Sequence, residues 1–224
     1  MESRAAEPGL GIWLLRHAFS WLVVRPLVLV GLGLNVRHRV RLPRAGPAII
    51  AANHNSHLDT LVLMSLLPYR LVPRVRPVAA ADYFLRNAAL AWFSTRILGI
   101  LPIHRRGGKK AGEDPLAPAA AALAAGELVI LFPEGTRGEA EEMAELKSGV
   151  AHLARKHPAV PVIPVFLHGL GKTLPRGARL PVPFFVDVVV GEPLYGREDH
   201  RAFVSELSTV IRALGDEIRR PAWE

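Results

Sequence analysis

A histidine and an aspartate stand five positions apart in Asn53-His54-Asn55-Ser56-His57-Leu58-Asp59, at the exit of an apolar run. A carboxylate that holds one imidazole nitrogen fixes the tautomer and leaves the other nitrogen to take a proton from a hydroxyl; this is a general base with its orienting partner. The spacing restricts how the two can meet, because on an ideal helix it would turn them about 140° apart. His54 must therefore lie in a loop and Asp59 in the first turn of the helix that follows. Ser56 is placed to cap that helix and Asn53 to brace the loop. His57 reads as structural or exposed.

The elements that must position this corner are visible on either side of it. Ala48-Ile49-Ile50-Ala51-Ala52 reads as a buried strand, and Leu61, Leu63, Met64, Leu66 and Leu67 carry a helical apolar pattern. Residues 36–42 alternate like a half-exposed strand with three arginines on one face. Further strands are predicted over 77–81, 100–104, 127–132, 160–167 and 184–190, and helices over 83–98, 115–125, 147–156 and 198–218. In the last helix Phe203, Leu207, Val210, Ile211, Leu214 and Ile218 form a stripe that reads as core packing. This alternation predicts an α/β fold, a mixed and largely parallel sheet flanked by helices. Sites in such sheets gather at the carboxyl ends of strands, and His54, Arg105 and Glu134 each fall just past a predicted end.

Three further blocks follow the histidine in order: Gly99-Ile100-Leu101-Pro102-Ile103-His104-Arg105, Phe132-Pro133-Glu134-Gly135-Thr136-Arg137 and Val160-Pro161-Val162-Ile163-Pro164-Val165. With Asn53 to Asp59 in front, the chain resembles the glycerolipid acyltransferases of the lysophosphatidic acid acyltransferase type, from about Val36 to Leu194. The resemblance implies transfer of a fatty acyl group from an acyl thioester, acyl-CoA or acyl carrier protein, to the hydroxyl of a lysophospholipid such as 1-acyl-glycerol-3-phosphate. It implies His54 as the base and Asp59 as its partner, with Arg105, Glu134, Gly135, Thr136 and Arg137 holding the acceptor's glycerol phosphate. Arginine suits that task because its planar fork pairs bidentately with phosphate, and glycine permits close approach of backbone to ligand. Many relatives carry a lysine soon after the strand that here reads Pro77-Val78-Ala79-Ala80-Ala81-Asp82. Its loss leaves the acceptor headgroup open.

Composition narrows the class. At 224 residues the chain fits one α/β domain plus a short appendage; residues 1–35 read as amphipathic membrane-associating helices and residues 36–224 as the acyltransferase domain. Cysteine is absent, which excludes disulfides, thiolate metal sites and a cysteine acyl-enzyme. The net charge of +8 resides in the first hundred residues, where twelve arginines face four acids. That bias suits an anionic membrane surface, and no nucleic-acid motif accompanies it. Residues 10–34 are rich in tryptophan, leucine and valine but are interrupted by Arg16, Arg25, Pro26, Gly31 and Gly33. A pair of short interfacial helices is expected, with arginines snorkelling outward and the protein peripheral or monotopic on the cytoplasmic side of the cell membrane. No metal or other cofactor is expected beyond the acyl donor. Two rivals remain: a metal-dependent hydrolase built on His54, His57 and Asp59, whose spacing matches no common zinc motif, and a non-catalytic membrane-surface lipid-binding protein, which has no need of a base.

Overall fold

Apolar residues on both faces of the central strands dictate a sheet covered on each side. The computed structural model describes residues 9–103, 114–136, 143–173 and 185–218. Its seven-stranded sheet comprises β1 (Gly33–Arg37), β2 (Ala48–Ala52), β3 (Val75–Ala80), β4 (Leu101–Ile103), β5 (Leu128–Leu131), β6 (Val162–His168) and β7 (Phe185–Val190), in the order β1-β7-β6-β2-β5-β3-β4. β6, β2, β5, β3 and β4 run parallel; β7 is antiparallel to β6, and β1 follows β7. The sheet is thus mixed and largely parallel, as the alternation predicts.

Every residue of β2 is fully buried because the strand lies at the centre of both layers. Ala48, Ile50 and Ala52 face one cluster, shared with Val62, Leu63 and Leu66 of α3 (Leu58–Leu66) and with Val24 and Val28 of the N-terminal helix. Ile49 and Ala51 face the other, built from α6 (Ala117–Ala124), α7 (Gly149–Lys156) and α9 (His200–Asp216). The stripe predicted for the last helix lies there: Phe203, Leu207 and Ile211 are fully buried and Leu214 nearly so.

Four local expectations are corrected. Residues 36–42 are not one strand: β1 ends at Arg37, and His38 turns left-handed (φ 56°) into the 3-10 turn Arg39–Arg41. Alternation alone does not reveal that pairing to β7 stops at Arg37↔Val189. Residues 83–98 are not one helix but α4 (Ala81–Phe84), then α5 (Ala88–Trp92) running into the π-helical Phe93–Ile97. Asn87 makes the break, since its side chain accepts the Leu90 N–H at 2.8 Å as an N-cap instead of sitting inside a helix.

The expected pair of N-terminal helices is one continuous run, α1 (Leu10–Phe19), a π-helical turn (Ser20–Val24) and α2 (Arg25–Leu29). The wider π turn accommodates Pro26, whose ring and missing N–H would otherwise interrupt an α-helix. Arg16 does not snorkel outward. Its side chain turns inward and is buried, donating from Nε to the Arg96 carbonyl (2.8 Å) and from Nη1 to the Pro73 carbonyl (2.6 Å). Burial lowers its pKa to about 10, with the charge of Arg76 adding to the effect. The first part of the run is consequently inverted: Arg16, His17 and Ser20 face the protein while Leu10, Trp13, Leu14, Trp21 and Leu22 face out, whereas Val24 and Val28 further along pack into the core. By length and composition Leu10–Leu29 passes as a membrane span, although one of its faces packs on the core. α8 (Leu170–Thr173) completes the described elements.

Candidate active site

β2 and β5 are hydrogen-bonded neighbours with the same direction, so the loops leaving their carboxyl ends lie side by side. The loop after β2 carries His54. That after β5 carries Phe132 to Thr136.

Asp59 is the second residue of α3, and five residues of loop and turn separate it from β2. This geometry brings His54 Nδ1 to 2.9 Å from Asp59 Oδ2. The same oxygen accepts the backbone N–H groups of Asn55 (2.7 Å) and Ser56 (2.9 Å), so the carboxylate holds the loop and the imidazole together. Asp59 is fully buried, and burial raises its carboxyl pKa; its hydrogen bond with His54 opposes this most, then the charge of His54 and the two loop amides. Three N–H donors converging on one oxygen fix that oxygen as an acceptor. Donation from Nδ1 leaves Nε2 as the basic nitrogen, and among the described residues Nε2 has no hydrogen-bond partner. The ring stacks on Phe132 at 4.1 Å and 20°, which sets its plane.

The loop is gripped from both sides. Asn53 extends the β2–β6 ladder with its side chain: Nδ2 donates to the Leu167 carbonyl (2.9 Å) and Oδ1 accepts the Leu167 N–H (2.7 Å). Asn55 Nδ2 donates to the same carbonyl at 2.8 Å. Ser56 Oγ accepts the Leu58 N–H at 3.3 Å at the start of α3. His57 is half-buried and stacks on Tyr83 at 4.9 Å.

On the other side, Glu134 is buried, with both oxygens engaged. Oε1 accepts the His54 N–H (2.9 Å) and Oε2 the Ala144 N–H (3.1 Å). The sequence expectation groups Glu134 with the acceptor contacts; here its carboxylate braces two loops. Burial raises its pKa, opposed by those two amides. The turn is closed by Gly135 N–H to the Phe132 carbonyl at 3.0 Å, and Gly135 is left-handed with φ 72°. Thr136 is exposed beside it. Arg105 and Arg137 lie outside the described residues.

Lys147 escaped the sequence reading. Its backbone N–H donates to the Pro133 carbonyl (2.9 Å), and its side chain crosses Gly135, where a Cβ would stand 2.7 Å from Nζ. The stacking of Phe132 and the amide of Asn55 were also not singled out, because no spacing rule signals a partner from another loop. Among the described residues no group of three or more His, Asp or Glu is arranged so that it could hold a metal ion.

The model of the family described as Acyltransferase matches residues 33–168. The chain is 30% identical over 156 residues to 1-acyl-sn-glycerol-3-phosphate acyltransferase BAT2, chloroplastic, of Brassica napus, covering 67% of this chain and 41% of that protein. It is 32% identical over 146 residues to 1-acyl-sn-glycerol-3-phosphate acyltransferase alpha of Mus musculus, covering 65% and 49%. The chain thus spans less than half the length of these curated relatives. The fold is similar to that of the crystal structure of the 1-acyl-sn-glycerophosphate (LPA) acyltransferase PlsC from Thermotoga maritima, with a TM-score of 0.70 and 21% identity, covering 93% of this chain and 80% of that one.

Proposed function

We propose, from the premise that this chain belongs to the acyltransferase family, that it moves a fatty acyl group from an acyl thioester to the hydroxyl of 1-acyl-glycerol-3-phosphate. The observation that carries the mechanism is the 2.9 Å contact between His54 Nδ1 and Asp59 Oδ2, with Nε2 left available at adjoining strand ends. His54 Nε2 takes the proton as the acceptor oxygen attacks the thioester carbonyl, and Asp59 stabilises the imidazolium. The tetrahedral intermediate collapses to the ester, and the departing thiolate takes the proton from Nε2. No acyl-enzyme is needed.

Gly135, Thr136 and Arg137, with Arg105, are assigned to the acceptor phosphate, and the ammonium of Lys147 over Gly135 supplies a cation to the same loop. Glu134, Asn53 and Ser56 position His54. The outward apolar face of the N-terminal helix is assigned to an anionic membrane surface on the cytoplasmic side, from which a lysophospholipid would be drawn. No cofactor is assigned beyond the donor. Labelled acyl-CoA and acyl carrier protein, tried with 1-acyl-glycerol-3-phosphate, other lysolipids and glycerol-3-phosphate, test donor and acceptor. His54→Ala is expected to lose about 10²-fold to 10⁴-fold in kcat, the contribution of a general base. Activity retained by that variant would sink the mechanism, and loss on adding EDTA would favour the hydrolase rival.

A further inference from the structure

At the end of the sheet opposite His54, three arginines face one cleft. β2 is entered from the loop of Pro43 to Pro47 and leaves toward His54 five residues later, a separation of about 17 Å at the rise of a strand. α3 returns to the entry side with Leu66. Between them lies a cleft of about 270 Å³ lined by Arg25, Arg39 and Arg44, with apolar walls that include Leu42, Leu66 and Pro68. Its volume lies just below the range that holds a drug-sized ligand, which suits a headgroup and not a whole lipid.

The charge there is uncompensated. Among the described residues none of the three arginines has an ion-pair partner, whereas neighbouring Arg41 is held by Glu192 at 2.8 Å. Arg25 lies over the exposed ring of Trp21 at 5.5 Å, and Arg70 donates to the Arg44 carbonyl at 2.9 Å, tying down the loop that carries Arg44. The cleft continues into apolar surface: Val40 on its wall is 79% exposed, and Leu22 beside Trp21 is 75% exposed. Guanidinium forks match phosphate oxygens, and tryptophan with exposed aliphatic side chains matches the adjoining headgroup and acyl boundary.

We propose that this cleft docks the phosphate of an anionic membrane phospholipid, at a site separate from that of the reacting lipid. The site rests on the membrane association proposed above and not on the acyl-transfer chemistry.

The test is sedimentation of the whole chain with vesicles of phosphatidylcholine alone or mixed with phosphatidylglycerol. Wild type is expected to bind the mixed vesicles more tightly. Arg25→Gln/Arg39→Gln/Arg44→Gln is expected to lose roughly fivefold per arginine, about 100-fold in all, while Arg197→Gln/Arg201→Gln/Arg212→Gln on the opposite face changes binding by less than about twofold. Arg25→Lys/Arg39→Lys/Arg44→Lys keeps the charge and loses the forks; it is expected to bind more weakly than wild type, and full retention would reduce the cleft to diffuse charge and overturn the site. Equal losses in the two glutamine variants would do the same. Equal binding of both vesicle types would overturn the site while leaving membrane association standing, whereas binding to neither would remove both. Binding of inorganic phosphate by wild type and not by the glutamine variant of the cleft, with the two sedimenting equally on mixed vesicles, would reassign the cleft to a free anion.

Discussion

Replacing Asp59 by asparagine isolates the charge behind the base from its geometry. The two backbone N–H groups of Asn55 and Ser56 point at Oδ2, so an asparagine must turn its carbonyl toward them and its amide nitrogen to the place of Oδ1. That carbonyl still accepts from His54 Nδ1, so the productive tautomer survives and only the negative charge is lost. Two opposite charges about 4 Å apart interact by about 4 kcal/mol at an effective dielectric constant near 20, and losing this from the imidazolium of the transition state slows the reaction by about 10³-fold. A flipped tautomer would instead cost about 10⁴-fold. Stability moves in two directions. The amide nitrogen enters a place where Oδ1 has no partner among the described residues, at a cost of about 1–3 kcal/mol, while removal of a charge that burial already disfavours offsets part of it. The assay is kcat for acyl transfer to 1-acyl-glycerol-3-phosphate, with nitrogen NMR of the imidazole reporting the tautomer. A loss under about tenfold in a folded variant would refute the assignment of Asp59's charge to imidazolium stabilisation.

Glu134→Gln cannot serve two N–H donors with two acceptors, so the His54 loop is expected to loosen and kcat to fall more than acceptor KM rises. Because the folded-state pKa of Glu134 is raised, its contribution to stability is greatest in acid and declines as pH rises through the ordinary glutamate value toward the folded one; the melting temperature of wild type relative to Glu134→Gln should therefore fall as pH rises above the ordinary glutamate range, and a flat difference would refute the shift. Gly135→Ala sets a Cβ 2.7 Å from Lys147 Nζ at a left-handed position, a backbone cost of about 1–2 kcal/mol. Acceptor KM should rise severalfold with kcat less affected, and an unchanged KM would remove this loop from acceptor binding. Arg16→Ala leaves the carbonyls of Pro73 and Arg96 without their donor, costing about 1–3 kcal/mol for each that stays dry, and should expose α1 to protease; an unaltered cleavage pattern would refute the pin.

What could be read from the chain follows the range of the forces involved. β2 was legible because a strand buried on both faces must be an uninterrupted apolar run, and the meeting of His54 with Asp59 because only a strand-to-helix corner lets that spacing close. Elements ended by a single residue were not: His38 stops β1 by one left-handed dihedral, and Asn87 splits a helix by accepting one N–H. Arg16 misled for a different reason. An arginine in an apolar helix ordinarily turns outward to water, but here the outward surface is apolar and the inward one offers two main-chain carbonyls. Which carbonyls a helix meets depends on tertiary packing, and residue type does not encode it. For Glu134 the resemblance implies an acceptor contact, and the two amides that engage its oxygens, that of His54 from the loop after β2 and that of Ala144 further along its own connection, are likewise set by tertiary packing.

The arrangement explains how His54, the proposed base, is held between β6 and β5. A five-residue loop carrying this imidazole would sample many positions if held only at its ends, and each ordered residue costs about 1–2 kcal/mol of backbone entropy. Here Asn53 and Asn55 bind it to Leu167 at the exit of β6, Glu134 to the exit of β5, and Asp59 closes it from below through three N–H groups. The parallel order β6-β2-β5 is what makes this grip possible, since it delivers three strand ends to one place. Two of the groups that grip the loop are carboxylates which burial disfavours, so the fold gives up stability to keep negative charge and acceptors behind His54. Such a compromise is sensible only if the loop's position matters more than its cost, and that is the expectation for a group that must meet a substrate hydroxyl within hydrogen-bond reach.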